Sequence, residues 1–257
     1  MVSFSSFFGV AALATAALAA PLHSKRAIGK LGVAYNDVAA ILPFTSAASW
    51  AYNWNKVPDG KVPQGVEYCP MLWGEKMYNG WNEAAEQALA SGSTCLLGFN
   101  EPDYHEQANM SPAQAVEGFK KYLTPFKDRA TLVTPAVTNG GGSMGLSWMR
   151  DFLTQCGGQC GAQAMAIHWY GDTFDQFKRH VESAIQLGKE FGIDRIWITE
   201  FAVNGDVGAQ VAFLAQAIPY LNSNDAVERY SYFMAREGSL LSGSVLSAIG
   251  KAYLGLS

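Results

Sequence analysis

The sequence predicts an α/β chain folded as a single (β/α)8 TIM barrel with one crossover helix missing. Three observations carry this expectation. Eight short apolar runs recur along the chain, separated by helical patterns or turn-rich stretches. Several of these runs are almost continuously apolar, as parallel strands covered on both faces must be. Two of the runs end in, or directly before, a glutamate, and the active sites of such barrels form at the C-terminal ends of the strands.

The chain opens with Met1-Val2-Ser3-Phe4 and reaches Ala20 without a charged side chain. Phe7-Phe8-Gly9-Val10 and the alanine-rich tract behind it form an apolar region, and Ala17-Leu18-Ala19 fits the small-x-small cleavage rule. We therefore expect a signal peptide over residues 1–19 and a short pro-peptide over 20–26 ending in Lys25-Arg26. A catalytic domain over residues 27–257 follows. Removing the first 26 residues leaves 231 of the 257, enough for one barrel. The removed stretch holds two basic residues and no acid, so the formal charge of −4 becomes −6. No basic cluster stands out, which disfavours nucleic acid and fits an uncharged substrate. The expected product is a secreted monomer, extracellular or associated with a cell wall and free of the membrane after processing.

The strand-like runs cover residues 31–36, 48–54, 66–73, 95–100, 131–137, 165–169, 195–200 and 229–234. Between them, Asp37 opens a short first helix, whereas 56–65 holds two prolines and two glycines and reads as a loop. Residues 81–90 form a helix stopped by Ser91-Gly92. Ser111-Pro112 opens the next, with serine as N-cap and proline at the first helical position. Further helices are expected over 145–154, 172–191 with Gly192 as its stop, 207–221 and 240–253. An open doubly wound sheet is the alternative, but the first strand, Leu31-Gly32-Val33-Ala34-Tyr35-Asn36, lacks the glycine-rich dinucleotide fingerprint.

Four cysteines in a secreted chain point to disulfides and allow three pairings. Cys156 and Cys160 are spaced to close a local loop; Cys69 and Cys95 would then join neighbouring strands. A zinc site is a poor fit, with one C-x-x-x-C and no second cysteine knuckle.

The chemistry centres on Gly98-Phe99-Asn100-Glu101-Pro102-Asp103 and on Thr199-Glu200-Phe201. Pro102 cannot continue a ladder, so Glu101 is held at a strand tip. Two glutamates on the fourth and seventh strand tips face each other across a barrel mouth, the requirement for glycoside cleavage. Aromatic and amide side chains at other tips fit a neutral polysaccharide: aromatic faces cover sugar C–H faces, and amides or phenols bind hydroxyls. Asn53, Trp54, Trp73, Asn100, His168, Tyr170 and Tyr232 are the candidates for binding substrate. For His168 a proton shuttle and a buried core histidine are the other readings; for Tyr170, a hydrogen bond to the nucleophile. The mechanism calls for no metal and no cofactor.

These motifs resemble glycoside hydrolase family 128, which comprises fungal and bacterial β-1,3-glucanases and includes a fungal alkali-sensitive-linkage cell-wall protein. The resemblance rests on Leu97-Gly98-Phe99-Asn100-Glu101-Pro102-Asp103, Pro70-Met71-Leu72-Trp73-Gly74, Thr134-Pro135-Ala136-Val137-Thr138-Asn139, His168-Trp169-Tyr170-Gly171 and Trp197-Ile198-Thr199-Glu200-Phe201-Ala202. It implies a retaining barrel acting on β-1,3-glucan, with Glu101 as acid/base, Glu200 as nucleophile and Asn100 on the sugar 2-hydroxyl. We expect endo cleavage. One departure is Tyr232, where the family often carries tryptophan. The rival reading is a wall protein that binds β-glucan without cutting it. An esterase is a poorer fit. Gly141-Gly142-Ser143-Met144-Gly145 matches G-x-S-x-G, but Thr138-Asn139-Gly140 separate it from its strand and no histidine follows His180.

Overall fold

The computed structural model describes residues 1–2 and 29–256. The expected signal peptide and pro-peptide therefore lie outside the described residues. Eight strands run in the predicted order: β1 (Gly32–Ala34), β2 (Trp50–Tyr52), β3 (Glu67–Tyr68), β4 (Cys95–Leu97), β5 (Thr131–Val133), β6 (Met165–Gly171), β7 (Ile196–Val203) and β8 (Val227–Tyr232). They form parallel ladders in the groups β1-β2-β3, β4-β5 and β6-β7-β8. Isolated parallel bridges link the groups: Met71 to Leu97, Val133 to Ala164, Val137 to Ile167, and Leu31 to Tyr230.

The result is a TIM-barrel-like α/β domain in which continuous ladders do not run all the way round. Two prolines help explain the gaps. Pro70 follows β3 and Pro135 follows β5, and neither has an N–H to donate. At the same level Gly98 lets two backbones approach closely, because a Cβ there would lie 2.7 Å from the Pro135 nitrogen.

Six α-helices are formed among the described residues: α1 (Trp81–Ala90), α2 (Pro112–Tyr122), α3 (Gly145–Cys156), α4 (Phe174–Glu190), α5 (Val207–Ser223) and α6 (Ala248–Tyr253). Ser111 and Gln114 build the capping box that opens α2; Thr173 and Gln176 do the same for α4. The first crossover is a 3-10 turn, Val38–Phe44, capped by Asp37, and residues 56–65 stay a loop as expected.

One expected helix is corrected. Its first half is a hairpin, β9 (Leu241–Ser242) with β10 (Val245–Leu246), and only Ala248–Tyr253 is helical. Gly238 and Gly243 adopt φ of +75° and +60°, which turn the chain, and the Ser247 side chain then caps α6 by accepting from Gly250 N at 3.0 Å.

Strand alternation divides the apolar residues into two cores. Trp50, Tyr52, Met71, Leu97, Ala166 and Trp197 fill the inner face of the strands, while Ala51, Leu96, Ile167, Trp169, Ile198 and Phe201 pack outward against the helices. Arg229 enters the inner layer. Its guanidinium pairs with Glu67 at 2.6 Å and lies 4.6 Å from the Trp197 ring. Both disulfides open to the sequence reading are formed, Cys69–Cys95 between β3 and β4 and Cys156–Cys160 at the end of α3. No helix among the described residues is long and apolar enough to cross a membrane.

Candidate active site

Glu101 follows the β4 tip with φ of +41°, a left-handed conformation that costs a non-glycine residue about 1–2 kcal/mol. The turn is held by its surroundings. Glu101 N donates to Ala136 O at 2.7 Å and Asn100 N donates to Trp73 O at 2.9 Å. Asp103 accepts from Thr138 Oγ1 at 2.6 Å and from Gly145 N at 2.7 Å, tying the β4 loop to the start of α3. Asp103 is thus a structural residue of the turn.

Glu200 reaches the interior through a bulge. Simple alternation along β7, with Trp197 inward and Ile198 outward, would send Glu200 toward the helices. The register between β6 and β7 shifts after Ile167, so that His168 pairs with Glu200 rather than Thr199. Glu200 then points inward and Phe201 joins the outer core.

The two glutamates meet around His168, which is fully buried. His168 Nδ1 lies 2.8 Å from Glu101 Oε1, and Nε2 lies 2.9 Å from Thr199 Oγ1 and 3.5 Å from Glu200 Oε1. The Glu101 and Glu200 carboxylates each have an oxygen within 4.8 Å of the other's. Their side chains are only 12 % and 7 % exposed. Trp54 Nε1 donates to Glu200 Oε1 at 2.7 Å, and the Tyr170 hydroxyl donates to Glu200 Oε2. Tyr52 supports the same strand by donating to Thr199 O at 2.8 Å.

The electrostatics follow from this wiring. Burial pulls the His168 pKa down, but the Glu200 charge and the hydrogen bond to Glu101 outweigh it, leaving the imidazole above its ordinary value. Burial, reinforced by Glu200, pushes the Tyr170 phenol far up, so it serves as a neutral donor. Tyr52 is raised in the same way.

Glu101, His168 and Glu200 also have the spacing of a cation site, but these donors are already committed to one another and to Thr199, Trp54 and Tyr170. That arrangement suits proton handling. A second such group, Glu67 with Cys69 and Cys95, has both sulfurs tied up in a disulfide.

The other expected substrate residues divide. Trp54 and Tyr170 stand on Glu200 and Asn100 precedes Glu101, while Trp73 adjoins Asn100 through its backbone carbonyl; Asn100 Nδ2 donates to Gln107 Oε1 at 3.1 Å and its Oδ1 has no partner. His168 is not a sugar ligand here, because both ring nitrogens are engaged between the carboxylates and Thr199. Asn53 is also corrected. Its amide donates to Val57 O and Asp59 Oδ2, and its carbonyl accepts from the Tyr68 hydroxyl at 2.7 Å, so it staples its own loop. Tyr232 is fully buried on the helix side, donating to Gln210 Oε1 at 3.0 Å and packing on Phe201.

The aromatic that reaches the site is Phe233, directly after the eighth strand, whose ring lies 5.7 Å from both Trp54 and Tyr170. Thr199, Gln107 and Phe233 were missed by sequence reasoning. Tyr232 is the candidate from sequence because it lies on the eighth strand where the family often carries tryptophan, and nothing in the residues signals the register shifts of β7 against β8.

A family model described as Glycosyl hydrolase catalytic core matches residues 32–253. A β-1,3-glucanase structure from Blastomyces gilchristii shares 46 % identity and covers 87 % of this chain and 97 % of its own, with a TM-score of 0.84. It is described as a subgroup III, curdlan-specific exo-enzyme of glycoside hydrolase family 128 in complex with glucose. The chain belongs to glycoside hydrolase family 128.

A subgroup I endo-β-1,3-glucanase of the family from Amycolatopsis mediterranei, crystallised with laminaritriose, is 27 % identical, covering 88 % of this chain and 98 % of its own with a TM-score of 0.73. Alkali-sensitive linkage protein 1 of Schizosaccharomyces pombe is 28 % identical over 227 residues, 80 % of this chain. The chain spans about 40 % of the length of that curated relative.

Proposed function

We propose that this family 128 protein is a secreted, retaining hydrolase of β-1,3-glucan. The observation that carries the mechanism is the placement of two buried carboxylates with oxygens within 4.8 Å. Retaining glycosidases hold their carboxyl groups about 5–5.5 Å apart, whereas inverting ones leave roughly 6.5–9.5 Å for a water. Glu101, protonated, donates to the glycosidic oxygen while Glu200 attacks the anomeric carbon. Water then hydrolyses the glycosyl-enzyme, with Glu101 taking its proton.

Trp54 and Tyr170 hold Glu200 in place, and the proton on His168 bridges toward Glu101. Substrate identity rests on the family, whose relatives act on β-1,3-glucan. We read the eight strands as one closed (β/α)8 ring, with the isolated bridges completing it. Secretion rests on the charge-free apolar start and on the disulfides.

The sequence favoured endo attack, and relatives of both modes exist. Attack from a chain end is now the better supported reading, because the 46 % identical relative is an exo-enzyme.

Product analysis on linear β-1,3-glucan tests the whole reading. We expect single sugars or short oligomers from the start, with the β-anomer released first, and no action on cellulose. Early mixed long oligomers would restore endo attack; an initial α-anomer would overturn retention. Glu101→Gln and Glu200→Gln should each lower kcat by about 10³-fold or more while the fold persists. Tight glucan binding by the wild-type chain without new reducing ends would establish the wall-binding reading.

A further inference from the structure

The Trp73 backbone runs beside the strand tip that carries Glu101, its carbonyl accepting from Asn100 N at 2.9 Å, and its side chain packs on the same inner core as those of Trp54 and Phe233. The residue is half-buried. A platform of this kind should cover a glucosyl ring, yet it is already covered. The Lys76 ammonium lies over the ring, 3.4 Å from its centroid.

Lys76 is exposed, and among the described residues it forms no ion pair. The backbone holds it there. A 3-10 turn, Glu75–Met77, starts two residues after Trp73, with Met77 N donating to Gly74 O at 2.9 Å. The turn abuts the Glu101 loop closely enough that a Cβ on Gly74 would come 3.2 Å from the Ala108 Cβ. One aromatic face holds either an ammonium or the C–H face of a sugar, not both.

We propose that Lys76 is a specificity-determining residue that closes the glucan groove at Trp73. This rests on the β-1,3-glucanase reading above and deepens it. A chain long enough to reach Trp73 must displace the ammonium before its sugar stacks there. The closed platform shortens the productive groove and favours cleavage near a chain end.

The test compares wild type with Lys76→Met, which keeps the length and apolar stem but removes the charge, on laminari-oligosaccharides of increasing length. An exposed cation–π contact of about 0.5–1 kcal/mol corresponds to about a two- to fivefold effect. We expect the ratio of long-chain to short-chain kcat/KM to rise about two- to fivefold, through a lower KM rather than a higher kcat. First products should lengthen by one glucosyl unit. Adding Trp73→Ala should abolish the gain.

Unchanged KM values and product lengths, with wild type cleaving linear β-1,3-glucan, would overturn the role of Lys76 alone. If wild type cleaves nothing, the parent reading falls. Equilibrium binding of laminarihexaose to both proteins then decides the point, equal Kd values refuting closure by Lys76.

Discussion

The Thr199 hydroxyl carries an unusual share of the site. His168 has two nitrogens and is surrounded by two carboxylates, so its orientation depends on a third partner that fixes which nitrogen faces which acid. Thr199 Oγ1, 2.9 Å from Nε2, is that partner, and Tyr52 anchors the Thr199 carbonyl. A hydrogen bond to the charged form of an imidazole favours that form. Thr199→Val keeps the volume and removes the hydroxyl, leaving a buried N–H short of a partner at a cost of about 1–3 kcal/mol. We expect the His168 pKa, followed by NMR titration, to fall, and kcat/KM to drop about tenfold with an altered pH profile. Thr199→Ser should restore both. A titration unchanged in the valine variant would show that Thr199 merely fills space.

At the scale of elements, much was legible because it is local chemistry. Ser111-Pro112 and Gly192 mark helix ends through hydrogen bonds made within one turn, and α1 runs over the residues the pattern indicated. The strand runs were legible from apolar content. What stayed hidden depends on pairing between distant strands. The bulge that turns Glu200 inward and the shift that brings Phe233 instead of Tyr232 to the site are register events, which leave no residue-type signature. The helix expected over 240–253 is shortened because Gly238 and Gly243, at positive φ, turn the chain into a hairpin whose apolar residues look the same as those of a helix face.

The disulfides make the element-level argument testable. Between β3 and β4 a single bridge at Met71–Leu97 stands in for a ladder, so Cys69–Cys95 ties together strands that hydrogen bonds hold weakly. It closes a loop of sequence separation 26, against 4 for Cys156–Cys160. Loop-closure entropy gives about 3.5 kcal/mol for the first and about 2 for the second. In a domain of this size, Cys69→Ser with Cys95→Ser should lower Tm by roughly 7–14 °C, and Cys156→Ser with Cys160→Ser by less. Equal Tm losses from the two double variants would contradict this ordering.

For the whole molecule, His168 and the partly buried His180 act on stability with opposite signs. Burial lowers His180 on α4 to about 4, and its Nε2 has no hydrogen-bond partner. Between that value and its unfolded pKa of about 6.5, the unfolded chain binds a proton that the folded chain does not. Stability from this source is therefore complete above about pH 6.5 and is lost as pH falls toward 4, by about 2–3 kcal/mol. His168 is raised instead, so its contribution is complete below about pH 6.5 and is lost as pH climbs through its folded value. Glu86 and Glu190, paired with Arg129 and Arg150, are lowered from 4.5, so their stabilisation starts to be lost only at the acid edge of the His180 window and goes on below it. The slope between pH 6.5 and 4 thus belongs mainly to His180. Urea unfolding across that range should show it, and His180→Gln should flatten it while leaving the loss below pH 4 in place. An equally steep slope in the glutamine variant would assign the acid sensitivity to groups other than this helix histidine.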